Sequence, residues 1–365
     1  MKIGHISTGY KPVIGGQETY IANLFRLLAG DGHSQRVYQE DTGAGDPEIR
    51  PVPKLPPWLT PRALRLYAYN ALLLTRFADL RSEDLLIAHY GFHALPVLWH
   101  RRLVVVSHGV EWEVPPRKLH HRIRRWASQV AFGRPSVRFV ANDTNFFRQM
   151  GADVPPAQGF FREVLPGRWF IPNCVDVERF RRTDPVPELS ALDPILVPRN
   201  IVPRRGLHLA VDAFAEFAQS HPATHLVIVG GYEAPGYRRV LEERITGHGL
   251  KARVVFWGHV PWEQMPAVFS SGVMTLVPSL FGEGTSLSAL ESMACGTPAV
   301  ATEVGGLVDL PSCNVRPDPG ALARGMEEVY RRRDEVSLHQ QEAVRQTFNL
   351  ERWHAAWREV IGSSG

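Results

Sequence analysis

A chain of 365 residues with 44% hydrophobic and 21% charged residues has the material for two packed cores, which excludes a disordered or fibrous protein. Its net charge of +4 is unevenly spread: residues 1–180 hold 23 Lys/Arg against 16 Asp/Glu and the remainder 18 against 21, so the first half favours an anionic partner. Three scattered cysteines, Cys174, Cys295 and Cys313, speak against a disulfide framework or a zinc knuckle, and no apolar run approaches the ~18 residues of a membrane span.

The opening MKIGHISTGYK reads as a strand without the apolar stretch of a secretion signal, so a reducing cytoplasm is the expected location and any membrane contact would be peripheral. Gly15 and Gly16 precede a helix predicted over 17–30. Glycines there let backbone amides approach a ligand, and a helix start favours an anion; a plain strand-to-helix turn is the other reading. The G-x-G-x-x-G fingerprint is absent, which gives a nicotinamide cofactor little support. A helix over 61–80 leads to the strands DLLIAHY and RLVVVSHG. His108 closes the second of these, where the ligand cleft of an open α/β sheet lies, although a lone histidine at a strand end also serves purely structural ends.

Residues 114–142 contain no acidic residue while supplying Arg117, Lys118, Arg122, Arg124, Arg125, Arg134 and Arg138. The helix predicted over 117–132 places Leu119, Ile123, Trp126, Ala127, Val130 and Ala131 at helical spacing with arginines on the flank. That pattern suits either packing on a sheet with solvated arginines or docking on an anionic membrane. After the strand VRFVAN, the polar, proline-bearing stretch 178–194 reads as an interdomain linker.

A second series of strands follows: PILVPRN, HLVIVGG, RVVFWG, GVMTLVPS and TPAVAT. With the first series they define an α/β protein with buried parallel strands. Helices are predicted over 206–219, 236–248, 286–295 and 320–347, and NLERWHAAWREVI reads as a closing helix. Arg199, Arg204 and Arg205 crowd the loop before the helix at 206, where guanidinium donors suit phosphates; a solvated arginine cluster is the alternative.

The stretch FGEGTSLSALESMACGTPAVAT carries Glu283 and Glu291 eight positions apart. Three other E-x7-E pairs lie in a loop or on polar helical stretches, so spacing alone decides nothing. Here a buried strand runs into a small-residue loop and then a helix, with Glu283 in the loop and Glu291 two turns along. The first amides of that helix, around Ser286 to Ser288, form an anion site with a carboxylate on either side, and a carboxylate that accepts two neighbouring hydroxyls suits a ribose or hexose.

At this point the chain resembles the family-four glycosyltransferases of the GT-B fold over nearly its whole length. The GG loop, VVVSHG, FIPNCVDVERF and EGTSLSALESMACGTPAVATEVGG are similar to that family's motifs, the last most specifically. The resemblance implies two facing doubly wound Rossmann-like domains, residues 1–177 and 195–347, with a carboxyl-terminal segment, 348–365, returning to the first. It implies retaining transfer of a sugar from a nucleoside-diphosphate donor to a glycan, lipid-linked or small-molecule acceptor, with no nucleic acid partner. By motif, Glu283 and the amides of Gly284, Thr285, Ser286 and Leu287 would hold the donor sugar and Glu291 the ribose. Arg205 would hold the phosphates, Gly16 would approach them, and His108 would meet the sugar ring.

The family's arginine six positions before the glycine of its K-G pair is here Asn200, with Arg199 one residue earlier. Strand alternation would turn Arg199 to the opposite face, so its place as a phosphate ligand stays open. The E-G-T-S-L-S loop also departs from the family's E-G-F-G-L-P, which leaves the donor sugar open, and Cys174 stands where glycine is common. No D-x-D-type carboxylate cluster accompanies the motif, so activity without a divalent cation is expected. A sugar-nucleotide-binding protein without activity, or a GT-B epimerase or phosphorylase, is the alternative.

Overall fold

A computed structural model describes residues 1–13, 15–43, 45–56, 58, 64–110, 112–113, 118–157 and 161–362. Residues 61–63 of the helix expected over 61–80, and Arg117 of the basic segment, lie outside them. In the first half the elements are β1 (Lys2–Ile6), α1 (Gly16–Gly30), β2 (Ser34–Glu40), β3 (Ile49–Val52), α2 (Arg65–Leu73), α3 (Phe77–Ser82), β4 (Leu85–His89), α4 (Gly91–Ala94), β5 (Leu103–Ser107), α5 (Leu119–Phe132), β6 (Val137–Ala141), α6 (Thr144–Gln149), β7 (Arg162–Leu165) and β8 (Arg168–Phe170). They form a sheet of order β3-β2-β1-β4-β5-β6-β8-β7, parallel except for the β7–β8 hairpin. The apolar runs of β4 and β5 are buried along their whole length, as strands covered by helices on both faces must be.

The second half contains α7 (Pro187–Ser190), β9 (Pro194–Pro198), α8 (Leu207–Phe217), β10 (His225–Val229), α9 (Tyr237–Gly247), β11 (Val254–Gly258), α10 (Met265–Ser271), β12 (Met274–Val277), α11 (Leu287–Ala294), β13 (Ala299–Thr302), β14 (Cys313–Val315), α12 (Pro319–Arg331), α13 (Arg333–Thr347) and α14 (Leu350–Gly362). Its sheet, β11-β10-β9-β12-β13-β14, is parallel throughout. Both sheets reverse their winding beside their first strand, between β1 and β4 and between β9 and β12, and such switch points open crevices at the carboxyl ends of strands.

Several elements depart from the sequence pattern. The helix expected over 320–347 is two helices, because Arg332 leaves helical geometry (φ −112°, ψ 29°). The helix over 61–80 is interrupted by a tight turn at Leu74–Arg76. Strands β2, β3, β7, β8 and β14 carry too many polar residues, or are too short, to stand out as apolar runs. Within 178–194, Phe180 and Leu189 are buried in the core beneath α10, α11 and α13.

The closing helix α14 crosses back. Trp353 and Trp357, both fully buried, pack with Ile3, Tyr20, Leu24 and Leu85 of the first domain. Asp31 after α1 binds His354 at 2.6 Å and Arg358. Arg138 and Arg102 donate to the carbonyls of Val360 (2.6 Å) and Ile361 (2.8 Å), which places positive charge where a helix end favours it.

Candidate active site

At the second domain's switch point, β12 ends and residues 278–286 loop back to begin α11. Ser286 caps that helix by accepting from Ala289 N at 3.4 Å. Glu283 in this loop is buried and gripped from three sides: Ser279 Oγ donates to Oε2 at 2.9 Å, Arg199 Nη2 lies 3.3 Å from Oε1, and Arg205 Nη1 bonds Oε2. Burial alone would push this carboxyl up. The charges of Arg199 and Arg205 and the Ser279 hydroxyl outweigh it and hold the group down at about 2. The side chain is thus a fixed anion between two fixed cations.

Arg199 is itself buried, which lowers its guanidinium to about 10 against the opposing pull of Glu283; it stays charged at neutral pH. Its Nη2 also donates to Ser286 Oγ at 2.7 Å, while Nε has no partner among the described residues. The expected turn of Arg199 to the opposite face does not occur, because β9 stops at Pro198 and strand alternation stops with it. Residue 199 is already in the loop, and Asn200 instead accepts from Tyr232 N at 3.1 Å. Together Arg199, Arg204 and Arg205 exceed Glu283 by two positive charges at the mouth of the loop. Gly206 makes this approach feasible: its φ is 67°, and a Cβ there would sit 1.8 Å from the Pro278 carbonyl oxygen.

Glu291 is the fifth residue of α11, one turn along the helix and not two. Its carboxyl is buried, accepts from Trp262 Nε1 at 3.1 Å, and is pushed up to about 7 by burial, the indole N–H pulling the other way. It therefore titrates near neutrality, unlike Glu283.

The first domain closes on this loop. A Cβ on Gly109, which has φ 113°, would lie 3.0 Å from Gly284 N, and one on Gly16 would lie 3.5 Å from Leu287 Cδ1. His108, beside Gly109, thus stands next to the Glu283 loop. Gly15 caps α1 and abuts Glu18 of its own helix. Thr285 is tied across the gap, donating to the Asn142 carbonyl at 3.0 Å and accepting from Asn173 N at 2.8 Å. Asp309 of the second domain accepts from Thr144 N (2.8 Å), Thr144 Oγ1 (2.7 Å) and Ala157 N (3.1 Å).

Sequence reasoning did not single out Ser279, Trp262, Asn142, Asn173 or Asp309. Asn173 sits inside the FIPNCVDVERF motif, and Asn142 and Ser279 close the strands VRFVAN and GVMTLVPS, where the cleft of an open α/β sheet lies; Trp262 and Asp309 carry no such signal. Among the described residues no group of three or more His, Cys, Asp or Glu is arranged to hold a metal ion, and no helix is long and apolar enough to cross a membrane.

Two doubly wound domains that meet over an arginine-clamped glutamate and a capped helix start give the chain the GT-B architecture. Family models agree: Glycosyltransferase Family 4 matches residues 14–156 and Glycosyl transferases group 1 matches residues 192–345. Among curated relatives, a phosphatidylinositol N-acetylglucosaminyltransferase chain of Arabidopsis thaliana is 32% identical over 352 residues, covering 90% of this chain and 74% of that protein. The D-inositol 3-phosphate glycosyltransferase of Acidothermus cellulolyticus is 29% identical, covering 80% and 71%. In fold, the chain is similar to the sucrose-phosphate synthase from Thermosynechococcus elongatus, with a TM-score of 0.79 at 20% identity over the full length of both chains. The chain belongs to glycosyltransferase family 4. It is a retaining transferase that moves a sugar from a nucleoside-diphosphate donor to an acceptor.

Proposed function

We propose that the donor lies at the second domain's switch point, with its diphosphate on Arg199, Arg205 and the start of α11. Glu283 and the amides of Gly284 to Leu287 face the donor sugar, Glu291 accepts the ribose hydroxyls, Gly16 approaches the phosphates, and His108 meets the sugar ring from the first domain. The observation that carries this reading is the buried triad Arg199–Glu283–Arg205 beside the capped helix start. In the transfer step the bond from the anomeric carbon to the diphosphate oxygen breaks. The acceptor oxygen forms its bond on the same face and its proton passes to the departing phosphate, so no strongly basic side chain is required. Arginine charge and helix-start amides stabilise the departing anion, which is the main catalytic lever and supports turnover without a divalent cation.

For the acceptor, the reading is a phosphorylated hydroxyl compound of the inositol phosphate kind, free or as a lipid headgroup. The names of the two curated relatives above and the basic first half support it. Helix α5 favours the lipid-linked form. His121, Ala127, Ser128 and Ala131 pack inward, while Leu119 (68% exposed) and Trp126 (55%) stand outward with exposed Arg122 and Arg125. Apolar side chains flanked by arginines suit an anionic bilayer, at about 1 kcal/mol per charge near the surface. Arg134 and Arg138 do not join that face: they donate to the carbonyls of Leu98 and Val360.

The test combines nucleotide sugars with inositol phosphate, with vesicles containing phosphatidylinositol, and with neutral vesicles, each with and without a chelator, and reads product by mass spectrometry. Glycosylated inositol phosphate or lipid, formed regardless of chelator, is the expected product. Product on neither phosphorylated acceptor would overturn the acceptor assignment, and loss on chelation with rescue by Mg²⁺ or Mn²⁺ would overturn metal independence. Sedimentation with anionic vesicles, weakened by salt and by changing Arg122, Arg124 and Arg125 to Ser, is expected; salt-insensitive or absent binding would return α5 to a packing role.

A further inference from the structure

Beneath His108 the first domain carries a line of polar side chains that the transfer reaction does not by itself require. The register of the parallel strands builds it. Gln35 of β2 pairs with Ile3 of β1; His5, two residues beyond Ile3, pairs with Ile87 of β4; His89, two beyond Ile87, pairs with Val106 of β5; His108 lies two beyond Val106. Because alternate residues share a face, Gln35, His5 and His89 form one diagonal on the same side of the sheet, and His108, one residue past the end of β5, continues it at the carboxyl edge through its contact with His89. The side chains touch in that order: Gln35 Oε1 to His5 Nε2 at 2.9 Å, His5 Nδ1 to His89 Nε2 at 3.4 Å, and His89 Nδ1 to His108 Nε2 at 3.0 Å. Successive imidazoles are nearly parallel, 17° and 18° apart.

The direction of the proton chain follows from its far end. Gln35 Nε2 donates to the Phe25 carbonyl at 2.6 Å, which fixes the amide and leaves Oε1 as an acceptor. Burial depresses all three imidazoles, His5 to about 4, His108 to about 3 and His89 well below its ordinary value, so each is neutral and carries one N–H. His5 must then donate from Nε2 and accept at Nδ1, His89 likewise, and His108 must donate from Nε2. The lone pair of His108 therefore sits on Nδ1. Tyr20 braces the end of the chain: its ring meets His108 edge-on at 4.7 Å and is backed by Trp353 of α14 at 4.9 Å.

We infer that Gln35, His5 and His89 are positioning residues that fix His108 as the Nε2–H tautomer, so that its Nδ1 accepts a hydrogen bond from a hydroxyl of the bound substrate. This rests on the placement of His108 beside the donor sugar. A ring free to exchange tautomers would also present an N–H at Nδ1, which repels the hydroxyl proton that atom has to receive.

Histidine-selective ¹⁵N labelling and long-range ¹H–¹⁵N correlation spectra read the tautomers directly, with assignments from single substitutions. Nε2–H is expected for His5, His89 and His108 at neutral pH. His5→Leu removes the acceptor for His89, so His108 should populate the Nδ1–H form and kcat/KM for the donor should fall about three- to ten-fold, the range for losing one neutral hydrogen bond. His5→Gln keeps an N–H toward Gln35 and an oxygen toward His89, and should restore both readouts. A His108 found as Nδ1–H in the unmodified protein, or a tautomer unmoved in His5→Leu, would overturn the inference. So would a failure of His5→Gln to rescue in a protein whose melting temperature is unchanged. The spectra need no turnover, so a failure of the donor-site reading shows separately, as absence of nucleoside diphosphate release with the tautomers intact.

Discussion

Replacing Glu283 by Gln tests the ion-paired loop at its centre. Its carboxyl is held at about 2 against an ordinary 4.5, and at 1.36 kcal/mol per unit the charged form is favoured in the folded state by about 3 kcal/mol. The same order follows independently, since removing one partner of a buried ion pair costs about 3–5 kcal/mol and Arg199 would lose its counterion at 8% exposure. Glu283→Gln should therefore lower the melting temperature of the second domain by roughly 6–12 °C, at about 2–4 °C per kcal/mol for a domain of this size. A depressed carboxyl stabilises the fold above its unfolded pKa, and that contribution is lost as pH falls through the folded one. The gap between the two proteins should thus be full at pH 7 and close progressively between about pH 4.5 and 2. In the same variant turnover should collapse while nucleoside diphosphate binds at least as tightly, because two arginines are released from their anion. Calorimetric unfolding across pH, with titration of the nucleoside diphosphate, measures all three. Equal melting temperatures at pH 7, or a gap that does not shrink in acid, would refute the reasoning.

Glu291 makes the opposite kind of switch. Donor affinity should rise with pH through about 7 as the carboxylate forms, and Glu291→Gln should weaken binding and flatten that profile, whereas a pH dependence unchanged in the variant would remove Glu291 from the ribose site. Arg205→Ala should weaken nucleoside diphosphate binding by about 1.5–3 kcal/mol. Arg199→Ala should cost at least as much, since this side chain holds both Ser286 and Glu283; a smaller loss by calorimetry would contradict its placement. Asp143, whose Oδ1 caps α6 at Phe146 N, is pushed up to about 8, first by burial and then by the neighbouring Asp309 charge. The folded state keeps a proton that the unfolded chain has lost, so stability should fall as pH rises between about 4 and 8. Asp143→Asn keeps the cap and should abolish that decline in melting temperature; parallel slopes would sink the idea.

How much of this is legible in the sequence depends on what each feature requires. The apolar runs of β1, β4, β5, β6 and β9 to β13 announce buried parallel strands, because a strand covered on both faces has no polar side to break its pattern. β2 and β14 lack that mark and are recognisable only once neighbours pair with them. Glu283, Glu291 and Arg205 stand out because a helix start, small residues and charge converge within a short stretch or across one turn. Arg199 escapes the pattern for a local reason: alternation holds along a strand, and β9 ends one residue before it. Trp262 and Glu291 are joined only by packing across the domain, so no spacing could reveal that contact. The histidine diagonal needs the registers of four strands at once, and of its members only His108, at the strand end, carries a signal alone.

Nucleoside diphosphate release is the most direct measurement of the central claim that the loop and helix around Glu283 and Glu291 form the donor site of a working transferase. Presented with a panel of nucleotide sugars, the protein should release diphosphate from one donor class, slowly with water and faster with acceptor. Glu283→Gln should release almost none while still binding the diphosphate. Release from no donor, or undiminished release by the variant, would contradict the account.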